Sequence, residues 1–136
     1  FNYKLSNISA ALGLAQLEQL EYFIKKKRAI RNYYVKKTEK IKELEIMASP
    51  EYSINNNWLN LIKIKKNKKI ISIIKKLNLK KFQLRPVWHP NHLQKPFKKN
   101  FSYKIVNAQK AIKNLLCLPS SVNLKKNQID KIINFI

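Results

Sequence analysis

The chain has 136 residues, 45% of them hydrophobic, which is enough to build one domain around a core. No run approaches the ~20 apolar residues that a membrane-spanning helix needs. The single cysteine, Cys117, excludes an internal disulfide framework and a thiolate zinc site. We therefore expect a cytoplasmic protein with no membrane partner.

The charge balance is strongly basic, with a formal net charge of +22 at pH 7. Such a chain can bind phosphate backbones, so a basic nucleic-acid-binding module is one hypothesis for its function. However, arginine occurs only at Arg28, Arg31 and Arg85, and the lysines are spread over polar positions of amphipathic segments. This pattern favours a solvated lysine surface and no nucleic-acid partner. A plain interaction domain without a ligand is a third hypothesis.

The first predicted element is one long helix from residue 7 to about 44, capped by Ser6 or Asn7. Its first turns, residues 8–15, are small and apolar nearly all round. Such a helix is normally buried on several sides, against other domains or another subunit. Gly13 lies inside it and costs about 1 kcal/mol relative to alanine, so we expect a close backbone neighbour there.

The rest of the chain alternates between strand and helix patterns, which predicts an α/β or α+β layer packing. We expect Asn78 to end the first of the later helices in a left-handed conformation. The predicted strands are a short one near Ile46, then residues 58–64, 82–87 and 115–118; the predicted helices are residues 68–77 capped by Asn67, 102–114 capped by Ser102, and 123–136 capped by Asn123.

No catalytic constellation is complete in the sequence. His89 and His92 are the only histidines, and Asp130 lies far from them, so we expect no metal site. Cys117 lies in an apolar strand and is expected to pack in the core, not to pair with a histidine. One glycine cannot build a glycine-rich phosphate loop.

The most site-like stretch is the loop from Arg85 to Gln94, at the end of a predicted strand. It concentrates a rare arginine, Trp88, both histidines and two amide side chains. Arginine binds phosphate or carboxylate through its planar fork, and tryptophan offers a flat face to a sugar or base. The alternative is a well-packed loop in which Trp88 only covers the core.

Residues 1–18, FNYKLSNISAALGLAQLE, resemble a characteristic segment of the DegT/DnrJ/StrS family of pyridoxal-phosphate-dependent nucleotide-sugar aminotransferases. Residues 56–60, 85–88, 92–94 and 118–124 are similar to the C-terminal region of that family. Within the family they most resemble the branch that aminates UDP-linked 4-keto-6-deoxy-hexoses for bacillosamine and legionaminic-type sugars. The resemblance covers the whole chain.

The resemblance implies the C-terminal part of aspartate-aminotransferase fold type I, in which a long helix precedes a small sheet flanked by helices. Residues 1–44 would form an interdomain and dimer-interface helical segment, and residues 45–136 a small α/β domain. The large domain that binds pyridoxal phosphate would lie upstream and outside this chain. We expect a homodimeric enzyme that transfers an amino group, with glutamate as donor, to C4 of a keto-sugar nucleotide.

The resemblance also assigns candidate site residues. Asn2 holds the position of the family asparagine that hydrogen-bonds the cofactor phosphate of the neighbouring subunit. Lys4 replaces the arginine of the same motif, keeping its charge but not its bidentate geometry. Arg85, Trp88 and His92 fall on the loop near the nucleotide-sugar pocket. No lysine here stands in the family's Schiff-base context, so we expect no catalytic residue in the chain and no activity from it alone.

Overall fold

The computed structural model describes residues 4–65 and 70–136. Two short 3-10 helices, Asn91–Leu93 and Lys95–Phe97, lie in the loop that follows the strand Arg85–Pro86. The mixture of helices with a small sheet confirms the predicted fold class. The helices are α1 Asn7–Glu18, α2 Leu20–Thr38, α3 Ile70–Leu79, α4 Val106–Ala111 and α5 Lys126–Phe135; the strands are β1 Leu44–Ile46, β2 Asn60–Ile64, β3 Arg85–Pro86 and β4 Leu115–Leu118.

The four strands form one antiparallel sheet in the order β1-β2-β4-β3. Ile62 of β2 lies opposite Leu116 of β4, and Asn60 lies opposite Leu118. Residues directly opposite each other share a face of the sheet, so these four side chains point to the same side. On that side α2, α3 and α5 complete the core, which contains Ile30, Tyr34, Leu44, Ile62, Ile64, Ile70, Ile73, Ile74, Leu77, Leu84, Leu116, Leu118, Ile129, Ile132, Ile133 and Ile136.

Helices α2 and α5 are also joined by polar contacts at the surface. The Nζ of Lys37 lies 2.8 Å from Oδ1 of Asp130, and the Tyr33 hydroxyl donates to the same carboxylate at 3.0 Å. The hydrogen bond from Lys37 lowers the pKa of Asp130, and the one to Asp130 raises the pKa of Lys37. Exposed ion pairs contribute little to stability, so the apolar core holds these helices together.

The helix predicted over residues 7–44 is instead two helices, and the second one ends at Thr38. The break is at Gln19, whose φ of −104° and ψ of 3° lie outside the helical range. At the far end the Thr38 hydroxyl donates to the Tyr34 carbonyl, and the Ile41 amide donates to the Thr38 carbonyl in a turn. Neither break involves proline or glycine, so the sequence carries no helix-breaking residue that would predict these two helix ends.

The strand predicted over residues 82–87 shrinks to Arg85–Pro86. The backbone groups of Leu84 are hydrogen-bonded to the side chain of Asn78. That side chain accepts from the Leu84 amide at 2.8 Å and donates to the Leu84 carbonyl at 3.3 Å. The expectation that Asn78 is left-handed is wrong, because the residue with positive φ in this turn is Lys81, with a φ of 64°.

The remaining helix boundaries differ by a few residues from the prediction. The helix predicted from Ser102 begins at Val106, after a turn in which Lys104 has a φ of 46°. The last helix begins at Lys126, where Lys125 caps it by donating its amide to Oε1 of Gln128. The predicted cap of α3, Asn67, lies outside the described residues.

Helix α1 contributes nothing to this core. None of its residues is buried, and Leu12, Leu14 and Leu17 are 64%, 60% and 65% exposed. Apart from its chain neighbours and the backbone of its own helix, a Cβ added at Gly13 would meet no described atom within 4 Å. The close neighbour expected at Gly13 is therefore absent from the part of the chain that the structure describes. No helix among these residues is both long and apolar enough to cross a membrane.

We expect Leu116→Ala to lower the free energy of unfolding by about 2–5 kcal/mol, because the side chain is completely buried and its loss leaves a cavity in the core. The matched control is Leu79→Ala at the end of α3, where leucine is 85% exposed and the change should stay within about 0.5 kcal/mol. Urea unfolding followed by circular dichroism measures both. Similar losses in the two variants would contradict the core assignment.

Candidate functional site

A cavity of about 470 Å³ opens between β3, the end of β4 and the segment before β2. Trp58 and Trp88 form its aromatic side, with ring centroids 5.8 Å apart and ring planes inclined at 36°. Both rings are mostly exposed, at 64% and 62%. We call this space the tryptophan cavity. A pair of accessible indole rings can stack against a flat ring of a ligand.

The polar side chains that line the tryptophan cavity are either cationic or neutral. Arg85 and Lys81 both line it, and no Asp or Glu occurs among its described lining residues. The neutral polar groups are the hydroxyls of Ser120 and Ser121 and the amides of Gln83 and Gln128. Two cations with no carboxylate nearby favour a ligand that carries negative charge, such as a phosphate.

The sheet places Arg85 at the cavity. Arg85 pairs with Cys117 across the β3–β4 ladder, so its position follows from the register of the central strand. Cys117 also lines the cavity and lies with its Sγ 3.9 Å from the Pro86 carbonyl. Burial raises the pKa of the Cys117 thiol, and the nearby charge of Arg85 only partly offsets this. Cys117 therefore remains a thiol and is not an activated nucleophile.

Lys81 reaches the cavity from the turn that ends α3. Its amide donates to the Asn78 carbonyl at 2.9 Å, and the next amide, of Phe82, donates to the Leu77 carbonyl at 3.1 Å. This geometry needs a left-handed residue, a conformation that costs a lysine roughly 1–2 kcal/mol. The turn thus places a second cation in the lining of the cavity.

The structure brings together two of the five predicted site residues, Arg85 and Trp88. His92 is not among the residues lining the tryptophan cavity; its Nε2 lies 2.8 Å from Nε2 of Gln109 on α4, which donates to it. Lys4 lies before α1 and does not line the cavity either. Asn2 lies outside the described residues. The binding roles of these residues stay predictions.

Sequence reasoning missed Trp58 and Lys81 as site residues. Trp58 is one of only two tryptophans in the chain, and this rarity was a usable signal. Lys81 gave no signal, because it is one lysine among many. The hydroxyls of Ser120 and Ser121 were also missed, although they follow Pro119, the residue that stops β4.

The cavity does not suit pyridoxal phosphate as a reaction centre. That cofactor needs a lysine for its aldehyde and an acidic partner for its ring nitrogen. Lys81 is present, but no carboxylate occurs among the described lining residues. Nor do three or more His, Cys, Asp or Glu side chains come together as a metal site within residues 4–65 and 70–136. The lining therefore suits an anionic ligand that is only bound better than it suits the reactions of pyridoxal phosphate.

The cationic lining predicts that iodide quenches tryptophan fluorescence more strongly in this chain than after removal of one cavity cation. Arg85→Gln and Lys81→Gln should each lower the iodide quenching constant by roughly 1.5- to 2-fold, as expected for one screened unit charge nearby. Neutral acrylamide should quench the variants and the wild type alike. Lys113→Gln, with the same charge change outside the cavity lining, is the control. An equal drop in that control would show only a net-charge effect.

Comparison with known proteins gives consistent matches. EpsN of Bacillus subtilis (strain 168), whose name describes a pyridoxal phosphate-dependent aminotransferase, is 29% identical over 99% of this chain and 36% of its own length. The GDP-perosamine synthase of Caulobacter vibrioides is 25% identical over 98% of this chain and 37% of its own. The chain thus spans about a third of the length of these relatives.

Solved structures show the same fold. PseC of Helicobacter pylori, an aminotransferase involved in the biosynthesis of pseudoaminic acid, superposes with a TM-score of 0.84 at 17% identity, over 99% of this chain and 37% of that one. The sequence profile of the DegT/DnrJ/EryC1/StrS aminotransferase family matches residues 1–136. The chain therefore belongs to the DegT/DnrJ/EryC1/StrS aminotransferase family.

Proposed function

We propose that this chain forms the nucleotide-sugar-binding part of a pyridoxal-phosphate-dependent aminotransferase. The enzyme transfers an amino group from glutamate to C4 of a keto-sugar nucleotide during the synthesis of a bacterial polysaccharide or glycan, in the cytoplasm. One observation carries the proposal: the tryptophan cavity combines an indole pair with two cations, Arg85 and Lys81, in a family of aminotransferases. The names of the relatives support an amino-sugar product.

The chemistry of the cavity suits each part of such a substrate. Trp58 and Trp88 can stack with the base, while Arg85 and Lys81 neutralise the diphosphate. Hydroxyl and amide groups of the remaining lining can hydrogen-bond the sugar. A volume of about 470 Å³ falls within the usual range for small-ligand sites, ~300–1,000 Å³. The alternative of a nucleic-acid-binding module has no support in the family match or in the relatives.

Most of the pyridoxal-phosphate site would be formed by residues outside this chain. In this proposal Asn2 and Lys4 contribute to the cofactor phosphate from the segment before α1. The start of α1 supports such a role, because Ser6 caps it and helix N-termini favour anions. His92 would act from the loop after β3, which it ties to Gln109 of α4.

A homodimer would also explain α1. Its leucines are 60–65% exposed at Leu12, Leu14 and Leu17, and such a continuous apolar surface normally contacts another protein surface. We assign residues 1–44 to the interdomain and subunit interface and residues 45–136 to the small domain. Part of α2 belongs to both, since Tyr34 is buried against the small domain.

Arg85→Ala tests the substrate site in a complete enzyme, in which this chain is joined to a cofactor-binding region of the kind that longer relatives carry. The KM for the sugar nucleotide should rise roughly tenfold or more, because a charge-assisted hydrogen bond contributes about 1.5–3 kcal/mol. The half-reaction with glutamate should change much less. Lys113→Ala, outside the cavity lining, is the control. Equal damage to both half-reactions would argue for a structural Arg85.

We expect the 136-residue chain to self-associate through α1. Sedimentation at tens of micromolar should show dimers or larger species that Leu14→Lys dissociates, because a charge cannot be buried unpaired in an apolar contact. Tyr52→Lys, at a position that is 92% exposed in the loop after β1, is the control and should leave association unchanged. A monomer in the wild type would contradict the interface assignment.

A further inference from the structure

The segment Pro119–Ser121, directly after β4, forms one wall of the tryptophan cavity. Helix α2 holds this wall from behind with two hydrogen bonds to backbone carbonyls. The Nζ of Lys27 donates to the Ser120 carbonyl at 2.8 Å, and the Tyr34 hydroxyl donates to the Pro119 carbonyl at 3.0 Å. Both bonds join residues more than 80 positions apart in sequence, so they exist only in the folded domain.

A third contact comes from β2. The backbone amide of Asn60 lies 3.2 Å from Oγ of Ser120, and Nδ2 of Asn60 lies 3.1 Å from the same oxygen. Ser120 Oγ in turn donates to the Leu118 carbonyl at 3.1 Å. Asn60 is only 1% exposed, and its Oδ1 has no hydrogen-bond partner in the described residues. An unpaired buried amide oxygen costs stability, so this asparagine is poorly explained by stability alone.

These contacts lie between the ligand-facing side chains. Asn60 is two residues after Trp58, and Cys117, the partner of Arg85, is two residues before Pro119. Pro119 and Ser120 therefore line the cavity next to the two strands whose neighbours are Trp58 and Arg85. Lys27 also lines a neighbouring cavity of about 460 Å³ together with Trp58, so α2 stands close behind that ring.

We propose that Lys27, Tyr34 and Asn60 are positioning residues, which hold the wall Pro119–Ser121 at the distance that the nucleoside diphosphate of the substrate requires. This inference rests on the proposed function. Tyr34 suits the role because it is completely buried, and burial raises the pKa of its hydroxyl, which stays a donor at neutral pH. Lys27 suits it because a charged donor binds a carbonyl more strongly than a neutral one.

The test uses Lys27→Met, which keeps the aliphatic stem and removes the donor, and Tyr34→Phe, which removes only the hydroxyl. Their matched controls are Lys25→Met and Tyr22→Phe, both at exposed positions of α2. The probes are uridine diphosphate and guanosine diphosphate, titrated against tryptophan fluorescence. Trp58 and Trp88 are the only tryptophans in the chain, so the signal comes from the cavity.

We expect each of the two variants to weaken nucleotide binding about three- to tenfold, while the controls stay within the error of the wild type. Lys27→Arg should restore most of the affinity, because a guanidinium can donate to the same carbonyl. A merely structural lysine would not show this pattern of loss and rescue at an unchanged melting temperature. Unchanged affinity in Lys27→Met, or an equal loss in Lys25→Met, would overturn the proposal.

Nuclear magnetic resonance separates failure of this inference from failure of the proposed function. If the wild type binds neither nucleotide, the proposed substrate site is wrong, and the ligand-free spectra decide on the positioning role. The indole N–H of Trp58 and the amide of Ser121 should shift in Lys27→Met and Tyr34→Phe but not in the controls. Unshifted signals in Lys27→Met would overturn the inference, even if Tyr34→Phe does not fold.

Discussion

The pairing of β2 with β4 is the constraint on which the rest of this domain depends. Every residue of β4 is buried, from Leu115 to Leu118, so the strand is covered on both faces of the sheet. One face carries Leu116 and Leu118 into the helical core, while the other carries Leu115 and Cys117. A one-residue slip in such a strand would exchange the two faces, and burial on both sides makes that costly.

The geometry of the tryptophan cavity follows from the register of β4 with its neighbouring strands. Cys117 sets the position of Arg85 through the β3–β4 ladder, and Leu118 lies opposite Asn60, two residues after Trp58. Arg85 lies on the edge strand β3, and Trp58 lies just before β2, on the other side of β4. Both residues therefore line the cavity at the end of β4. These strand pairings join residues far apart in sequence, so the positions of Trp58 and Arg85 depend on core packing, whereas a local turn places Lys81.

The sequence predicted the parts of this arrangement that local patterns control. The apolar run before Pro119 predicted β4, and the clustering of rare residues predicted that Arg85 and Trp88 belong to a site. It could not place Trp58 beside Trp88, because that contact depends on strand register. It also made β3 too long, because the side chain of Asn78 takes up the backbone groups of Leu84, six residues later. Side-chain to backbone bonds of this kind leave no periodic signal.

The charge of the tryptophan cavity bears on which role this chain has in the proposed function. Arg85 and Lys81 favour an anionic ligand, and no carboxylate among the described lining residues opposes them. The same lack leaves no group here to face a pyridinium nitrogen or to serve as a carboxylate base. In the function proposed above, substrate binding and amino transfer would then come from different parts of the protein. A domain that only holds the substrate gains from rigidity, because a fixed wall loses little entropy when the ligand arrives. In our proposal, the hydrogen bonds from Tyr34 to Pro119 and from Asn60 to Ser120 provide that rigidity.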